Sequence, residues 1–224
     1  MTSRISRRFV LILALAQLLM IYAWIVEPNW IEVTSHEAWF KTLPEEFNGL
    51  VVAHLSDLHI RKYGTRERQV VARLAESMPG VIVITGDLTL EGSDPATIRQ
   101  FLMSLRDLKP TFGIWAVLGN HDHWYPLAPS KDAIRQFYNN AGVALLVNEG
   151  GRIGRGLDTL SLIGVDIGAL WLPAGSEPFE SGWFYGQNAR MYVTRGIGTS
   201  ILPVRLFCRP ELALITLKRS GPKR

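Results

Sequence analysis

The longest apolar run of the chain lies near its beginning. Residues 9–26, FVLILALAQLLMIYAWIV, carry no charge, and Gln17 is their one strongly polar member. A run of 18 residues just reaches the length that a helix needs to cross a bilayer. Tyr22 and Trp24 are residue types that favour the membrane interface. The pattern predicts a transmembrane helix, with residues 1–26 as a membrane anchor.

Basic residues predict how this helix is oriented. Three arginines precede it, Arg4, Arg7 and Arg8, and the next Lys or Arg is Lys41. Positive charge is enriched on the cytoplasmic side, so we expect a cytoplasmic N-terminus and an extracytoplasmic domain. Two alternatives remain open. Ala14-Leu15-Ala16 resembles a signal-peptide cleavage site, and Ser6-Arg7-Arg8-Phe9 resembles a twin-arginine export signal.

After a connector predicted over residues 27–48, apolar bursts alternate with helical patterns. Strands are predicted over residues 50–55, 81–84, 114–118, 143–147, 160–163, 191–194 and 212–217. Helices are predicted over residues 67–78, 97–108 and 130–141, the last with Ser130 as its N-cap. Alternating strands and helices predict an α/β sheet covered by helices. We expect the domain to span residues 49–217, followed by a basic tail at 218–224.

Composition excludes some classes of function. The net charge is +4, but the surplus lies at the two ends of the chain, and no basic stripe with interleaved aromatics lies between them. No nucleic-acid partner is therefore predicted. Cys208 is the single cysteine, which excludes an internal disulfide and a cysteine-based zinc site.

Polar clusters follow three of the predicted strands. Asp57 and His59 follow the first, Gly86-Asp87 the second, and Gly119-Asn120-His121-Asp122 the third. Ligands of open α/β sheets sit at the carboxyl ends of the strands, so these clusters are expected to converge on one crevice. In an extended chain, Asp57 and His59 would point to the same side. Gly86 and Gly119 would let the backbone turn tightly.

The donor types indicate a cation site. Carboxylate, imidazole and amide oxygen together suit a divalent ion such as Mn, Fe or Zn. Each cluster alone has an ordinary explanation, because Asp and Gly-Asp are common in caps and turns. Three such clusters, each at a strand end, favour a metal centre over three unrelated turns.

These motifs resemble the calcineurin-like metallophosphoesterase superfamily, whose pattern runs D-x-H, G-D, G-N-H-D/E, a strand-end His and finally G-H-x-H. The branch of bacterial membrane-anchored or exported phosphoesterases is the most similar. It shares a tail like residues 192–198, YVTRGIG, and 208–211, CRPE. The resemblance implies an α/β/β/α sandwich, two divalent metal ions and hydrolysis of phosphomonoesters or phosphodiesters.

The resemblance also implies a role for each site residue. Asp57 and His59 would bind the first metal, Asp87 would bridge both metals, and Asn120 would bind the second. A metal-bound hydroxide would then attack phosphorus.

For catalysis, the resemblance implies that His121 contacts the phosphate and protonates the leaving oxygen. Asp122 would hold the His121 imidazole in its correct tautomer. The implied partners are a phosphoester substrate, with lipid or envelope-sugar phosphates as candidates, and the membrane.

The C-terminal half departs from the family pattern. The five histidines are His36, His54, His59, His121 and His123, so the strand-end His and the G-H-x-H are absent. Residues 168–172 join two segments that family members separate, which indicates an internal deletion of several dozen residues. We therefore expect an incomplete second sheet and a weakened second metal site. The alternative is a catalytically impaired remnant that binds one metal or none.

Some residues near these motifs have simpler explanations. His54 faces away from Asp57 by strand alternation and is expected to be a satisfied interior residue. His123 is expected to line the rim of the site rather than to bind metal. Trp171 and Trp183 are expected to pack in the core.

Overall fold

A computed structural model of the chain describes residues 2–165, 181–185, 190–199 and 202–220. Its centre is a six-stranded sheet in the order β1-β10-β2-β3-β4-β5. These strands are β1 (Glu32–Phe40), β2 (Val51–Leu55), β3 (Val81–Thr85), β4 (Ile114–Val117), β5 (Val143–Leu145) and β10 (Glu211–Arg219). Strands β2 to β5 are parallel, whereas β10 runs antiparallel to β2 and parallel to β1. The predicted α/β class is confirmed.

Four of the five helices in the described residues correspond to predicted ones, and the short α4 was not predicted. They are α1 (Thr2–Ile21), α2 (Thr65–Ser77), α3 (Pro95–Arg106), α4 (Asn120–Trp124) and α5 (Lys131–Asn140). Asp94 caps α3 by accepting hydrogen bonds from two backbone N–H groups. Ser130 caps α5 through the N–H of Ala133, as the sequence predicts.

Each face of the central sheet buries a separate core. On one face, Leu55 and Ile84 of the sheet pack with Leu74, Phe101 and Phe137 of α2, α3 and α5. The other face is covered by two antiparallel ribbons. One consists of β6 (Glu149–Arg155) and β7 (Asp158–Gly164), and the other of β8 (Gly182–Tyr185) and β9 (Arg190–Val193).

The second layer is small in the part of the chain that the structure describes. Ile153 of β6 and Trp183 of β8 pack against Val83 and Trp115 of the central sheet. Gly151 permits the close packing of β6 on Trp115, because a Cβ at this position would overlap the Trp115 ring. Trp183 therefore packs in the core as expected, while Trp171 lies outside the described residues. Helices on one face and strands on the other fit the expected sandwich with a reduced second sheet.

Two expectations about chain organisation are wrong. Residues 27–48 are not merely a connector, because β1 lies within them and pairs with β10 from Glu32↔Glu211 to Phe40↔Arg219. Lys218 and Arg219 belong to β10 rather than to a separate tail. Periodicity missed β1 because its inward positions, Glu32, Thr34 and His36, are polar, whereas its outward Val33 is exposed.

Helix α1 is attached directly to the domain. Residues Arg7–Asn29 form a helix long and apolar enough to cross a membrane. Its last part is a π-helical turn, Tyr22–Val26, followed by a 3-10 turn, Glu27–Asn29. The buried Glu27 carboxylate accepts hydrogen bonds from the N–H groups of Phe207 (3.0 Å) and Cys208 (2.6 Å). The end of the helix is therefore fixed to the C-terminal segment.

Glu211 connects the edge strand to this segment. Its buried carboxylate accepts hydrogen bonds from Thr34 Oγ1 (2.7 Å), Tyr192 OH (2.5 Å) and the Arg195 N–H (3.0 Å). The Arg195 guanidinium also bridges Glu211 and Glu32. Burial by itself would raise the pKa of Glu211, but the hydrogen bonds from Tyr192, Arg195 and Thr34 lower it to about 2.

This pKa predicts acid sensitivity. Because the folded-state pKa lies below the ordinary value, the stabilisation is complete above about pH 4.5 and is lost as the pH falls towards 2. Glu211→Gln should lower the free energy of unfolding at pH 7 by on the order of 3 kcal/mol. It should also flatten the pH dependence of unfolding in that window. Denaturant unfolding of detergent-solubilised protein, followed by circular dichroism, measures both effects.

The control is Glu37→Gln, because Glu37 lies exposed on β1, the strand paired with β10, and its ion-pair partner among the described residues is Lys218 at 3.8 Å. Its effect should stay within about 0.5 kcal/mol. Equal pH slopes for the wild type and Glu211→Gln would show that the prediction is wrong.

Candidate functional site

The loops that follow β2 and β3 are hydrogen-bonded to each other beyond the ends of the strands. The Asp57 N–H donates to the Gly86 carbonyl (3.2 Å), and the His59 N–H donates to the Asp87 carbonyl (2.9 Å). The sheet pairing thus continues into the two polar clusters. Because β2 and β3 are parallel neighbours, both clusters lie at the same edge, as the sequence predicts.

The backbone in these clusters is left-handed rather than extended. Asp57 has φ of 51°, His59 of 44° and Asp87 of 52°. The expectation that strand alternation orients Asp57 and His59 is therefore wrong; the two side chains are directed by left-handed turns. Non-glycine residues rarely adopt such angles, and the strain is characteristic of functional sites.

The two glycines act differently from each other. Gly86 has φ of 89° and permits the turn that was expected. Gly119 has ordinary backbone angles, with φ of −102°. Its role is close approach, because a Cβ at Gly119 would overlap the Asp87 carboxylate. Gly119 therefore lets the third loop lie directly against Asp87.

Three side chains from the three loops come together. Ligand atoms of His59, Asp87 and His121 all lie within 4.8 Å of one another. His59 Nε2 is 3.8 Å from Asp87 Oδ2, and the His59 and His121 rings meet edge to face at 4.7 Å. His59 Nδ1 lies 3.2 Å from the Thr89 carbonyl, which can only accept. A proton on Nδ1 satisfies this carbonyl, and Nε2 is then the nitrogen that could bind a cation held between it and Asp87.

This group has the properties of a cation site. Burial raises the pKa of Asp87; the N–H of His121, at 2.9 Å, opposes the rise, and the Asp57 carboxylate adds to it. His121 Nδ1 is buried and has no hydrogen-bond partner within the described part of the chain. A divalent cation would satisfy an unpaired imidazole nitrogen and offset the cost of burying a carboxylate. The donor set therefore fits a metal such as Mn, Fe or Zn.

The remaining predicted ligands lie beside this group. Asp57 is half-buried, and its Oδ2 accepts a 2.5 Å hydrogen bond from Ser56 Oγ. It lines the same open cleft as His59. Asn120 is half-buried and begins α4. The close group thus includes His121, which was expected to be a non-ligand, and does not include Asp57.

The expected contact between Asp122 and the His121 imidazole is wrong. The buried Asp122 carboxylate accepts hydrogen bonds from the N–H groups of Gly119 (2.9 Å), Thr89 (2.9 Å) and Leu88 (3.3 Å). It also accepts one from Thr89 Oγ1 (3.0 Å). These four donors come from the loops after β3 and β4. Asp122 therefore holds two loops together instead of orienting an imidazole.

The C-terminal segment packs on the first cluster, a contact that sequence reasoning missed. Ile197 N–H donates to the Ser56 carbonyl (3.0 Å), and Gly198 N–H donates to the Asp57 carbonyl (2.5 Å). Gly196 has φ of 69°, and a Cβ there would press on Asp57. The sequence signal that could have predicted this contact is the YVTRGIG stretch. It resembles the family, but the resemblance did not imply a role for any of its residues.

The other histidines have structural environments. His54 Nε2 lies 2.7 Å from Thr85 Oγ1, and burial lowers the pKa of His54. The expectation that His54 is a satisfied interior residue is confirmed. His123 is exposed and lies outside the close group of His59, Asp87 and His121.

The role of Asp122 can be tested by Asp122→Asn. An amide keeps one acceptor oxygen and puts a donor against backbone N–H groups, so the free energy of unfolding should fall by about 2–3 kcal/mol. Denaturant unfolding measures this change. Asp158→Asn, at the start of β7 and away from the three loops, is the control and should change stability by less than about 0.5 kcal/mol. Similar stability of the two variants would contradict the assignment.

Comparisons with known proteins agree with this geometry. The family model for calcineurin-like phosphoesterases matches residues 50–187. Among relatives, the chain is 26% identical to the Bacillus subtilis metallophosphoesterase YkuE, over 89% of this chain and 90% of YkuE. That alignment spans 258 positions, more than the 224 residues of this chain, so YkuE has residues without a counterpart here.

Two further relatives match over smaller shares of their own length. The zebrafish transmembrane protein with metallophosphoesterase domain is 28% identical, over 71% of this chain and 37% of the relative. The Chlamydia trachomatis UDP-2,3-diacylglucosamine pyrophosphatase LpxG is 32% identical, over 50% of this chain and 34% of the relative. With the family model matching more than half of its length, the chain belongs to the calcineurin-like phosphoesterase family.

Proposed function

We propose that this protein is a membrane-tethered, metal-dependent phosphoester hydrolase. The observation that carries the proposal is the close group of His59, Asp87 and His121 at the carboxyl edge of the sheet. It contains a buried carboxylate and an unpaired imidazole nitrogen in a chain of this family. A divalent cation bound there supplies Lewis-acid activation of water and of phosphoryl oxygens.

Each site residue has a proposed role. Asp57, His59 and Asp87 hold the cation, with His59 Nε2 and the Asp87 carboxylate already facing each other at 3.8 Å. His121 contacts the phosphate and protonates the leaving oxygen. Within the described residues no group hydrogen-bonds His121 Nδ1, so no protein contact blocks either role, proton donor or cation ligand.

A second cation would be held weakly. Asn120 and Asp87 are the protein ligands that the family pattern leaves for it, because no histidine follows residue 123 in this sequence. Divalent ions of this class take four or more donors, so two are insufficient for tight binding. The length of the YkuE alignment supports the inference that this chain lacks residues that a relative has.

We propose lipid or envelope-sugar phosphates as substrates. A cleft lined by His59, Arg61, Lys62 and Trp24 joins the cation group to the end of the apolar helix. The two basic side chains are exposed and complement phosphate charge. The name of LpxG specifies a diacylated sugar nucleotide as its substrate. The arginine asymmetry supports a cytoplasmic N-terminus and an extracytoplasmic domain, with twin-arginine export as the alternative.

A second candidate function rests on the missing histidines. A chain with one well-formed cation site could be a remnant that binds a single metal and no longer turns over substrate. The sequence after residue 123, which contains no histidine, favours this candidate. Activity and metal stoichiometry separate the two candidates.

Hydrolysis of an aryl phosphodiester in the presence of Mn²⁺ tests the activity. We expect turnover by the wild type, and a loss of about 100-fold or more in Asp87→Asn, because a charge that holds the cation at the reacting phosphate is removed. Asp158→Asn, at the start of β7 and outside the polar clusters of the site, is the control and should remain active. If wild type and Asp87→Asn are equally inactive, the remnant is the correct description.

Calorimetric titration of Mn²⁺ into chelator-treated protein tests the ligand assignment. We expect about one tight equivalent, because only one site has enough protein donors. Asp87→Asn should weaken binding by more than about 10-fold, whereas His121→Asn should stay within about 3-fold if His121 is the proton donor. A large loss of affinity in His121→Asn would instead make it a ligand. Two tight equivalents in the wild type would contradict the weak second site.

A further inference from the structure

One loop residue combines two unfavourable features. The Phe207 side chain is 85% exposed, and its backbone is left-handed with φ of 57°. Left-handed angles are uncommon for bulky residues, and large exposed aromatics are disfavoured in water. The fold nevertheless holds Phe207 in this exposed and strained conformation. Such a residue is typical of a functional surface.

The end of helix α1 holds this loop in place. The buried Glu27 carboxylate accepts the Phe207 and Cys208 N–H groups, and the Arg205 N–H donates to the Ala23 carbonyl at 3.0 Å. The Arg209 guanidinium lies over the Trp30 ring, 3.7 Å from its centre. The strained conformation of Phe207 is therefore fixed by residues at the end of the apolar helix.

The exposed apolar surface continues from the helix onto the loop. On the helix end the exposed residues are Trp24, Ile25 and Val26, and on the loop they are Leu202, Leu206 and Phe207. The hydrogen bonds from Phe207 to Glu27 and from Arg205 to Ala23 place the two sets side by side. Aromatic residues at such a position are typical of the membrane interface.

We propose that Leu206 and Phe207 form a second membrane contact, inserting into the bilayer interface beside the helix that anchors the domain. This inference rests on the proposed membrane tether, and the occupant of the surface is the lipid bilayer. The bilayer is the occupant because the exposed apolar residues of the loop are hydrogen-bonded, through their own segment, to the end of a candidate transmembrane helix that also exposes apolar residues. Burial of this apolar surface in lipid offsets the strain at Phe207.

The same loop forms one wall of the site cleft. Leu202, Leu206 and Cys208 line the cleft together with Asp57 and His59. A loop that rests on the bilayer therefore makes the cleft open at the lipid surface. Substrates that lie in the membrane with a phosphorylated headgroup would reach the cation group without leaving the bilayer.

The geometric link between loop and site is a chain of hydrogen bonds. The Arg205 guanidinium donates to the carbonyls of Gly196 (3.2 Å) and Gly198 (2.7 Å). Gly198 N–H in turn donates to the Asp57 carbonyl. The position of the loop on the membrane thereby fixes the height of Asp57 above the lipid surface.

Spin-label accessibility of the full-length chain in vesicles of phosphatidylcholine and phosphatidylglycerol tests the proposal. Labels are attached through Phe207→Cys, Leu15→Cys and Leu157→Cys, each in a Cys208→Ser background. Leu15 is exposed within α1, and Leu157 is the fully exposed control in the β6–β7 turn. We expect the label at 207 to be several-fold more accessible to oxygen, and less accessible to a water-soluble nickel chelate, than the label at 157.

The outcomes separate this inference from the tether. If 207 behaves like 157 while 15 is shielded from the nickel chelate, the loop contact is wrong and the tether stands. If 15 is also accessible to the chelate, the tether is wrong and the loop contact falls with it. Should Phe207→Cys fail to fold by circular dichroism, Leu206→Cys reports the same contact, and a label there that matches 157 overturns the proposal.

Discussion

The Asp122 carboxylate is the interaction on which the candidate site depends. It is buried and accepts hydrogen bonds from Gly119, Thr89 and Leu88, which belong to loops after different strands. Because these three donors are backbone N–H groups of the loops after β3 and β4, the carboxylate fixes the relative position of the two loops. The approach of His121 to Asp87 follows from that position. Parallel pairing of the strands alone would not bring these side chains within reach of one ion.

A second set of contacts connects the site to the apolar helix. At the end of the helix, Ala23 and Glu27 accept hydrogen bonds from the N–H groups of Arg205 and Cys208. The Arg205 guanidinium in turn donates to Gly198, in the glycine-rich stretch that packs on Asp57. The helix is thus part of the domain at its C-terminal end. These hydrogen bonds explain why the candidate site lies next to the end of the helix. A flexible linker would not fix the distance between them.

Sequence patterns predicted the fold where side chains are sorted by polarity. The parallel strands β2 to β5 consist mainly of apolar residues, and α2, α3 and α5 carry apolar stripes, so periodicity identified them. Strand β1 was missed because Thr34 faces inward to Glu211, while Val33 is exposed. Strand β6 was missed because its glycines, such as Gly151, are needed for close packing on Trp115 and give no strand signal.

The sequence by itself determined the class of fold, the apolar helix and the identity of the donors, because strand ends, hydrophobic runs and motif spacing are local properties. It could not determine which donors meet, since that depends on left-handed turns and on hydrogen bonds between residues far apart in the chain. Tertiary structure therefore decided that His121 joins His59 and Asp87, and that Asp122 binds backbone groups instead of an imidazole. It also decided that Phe207 lies beside the end of the helix.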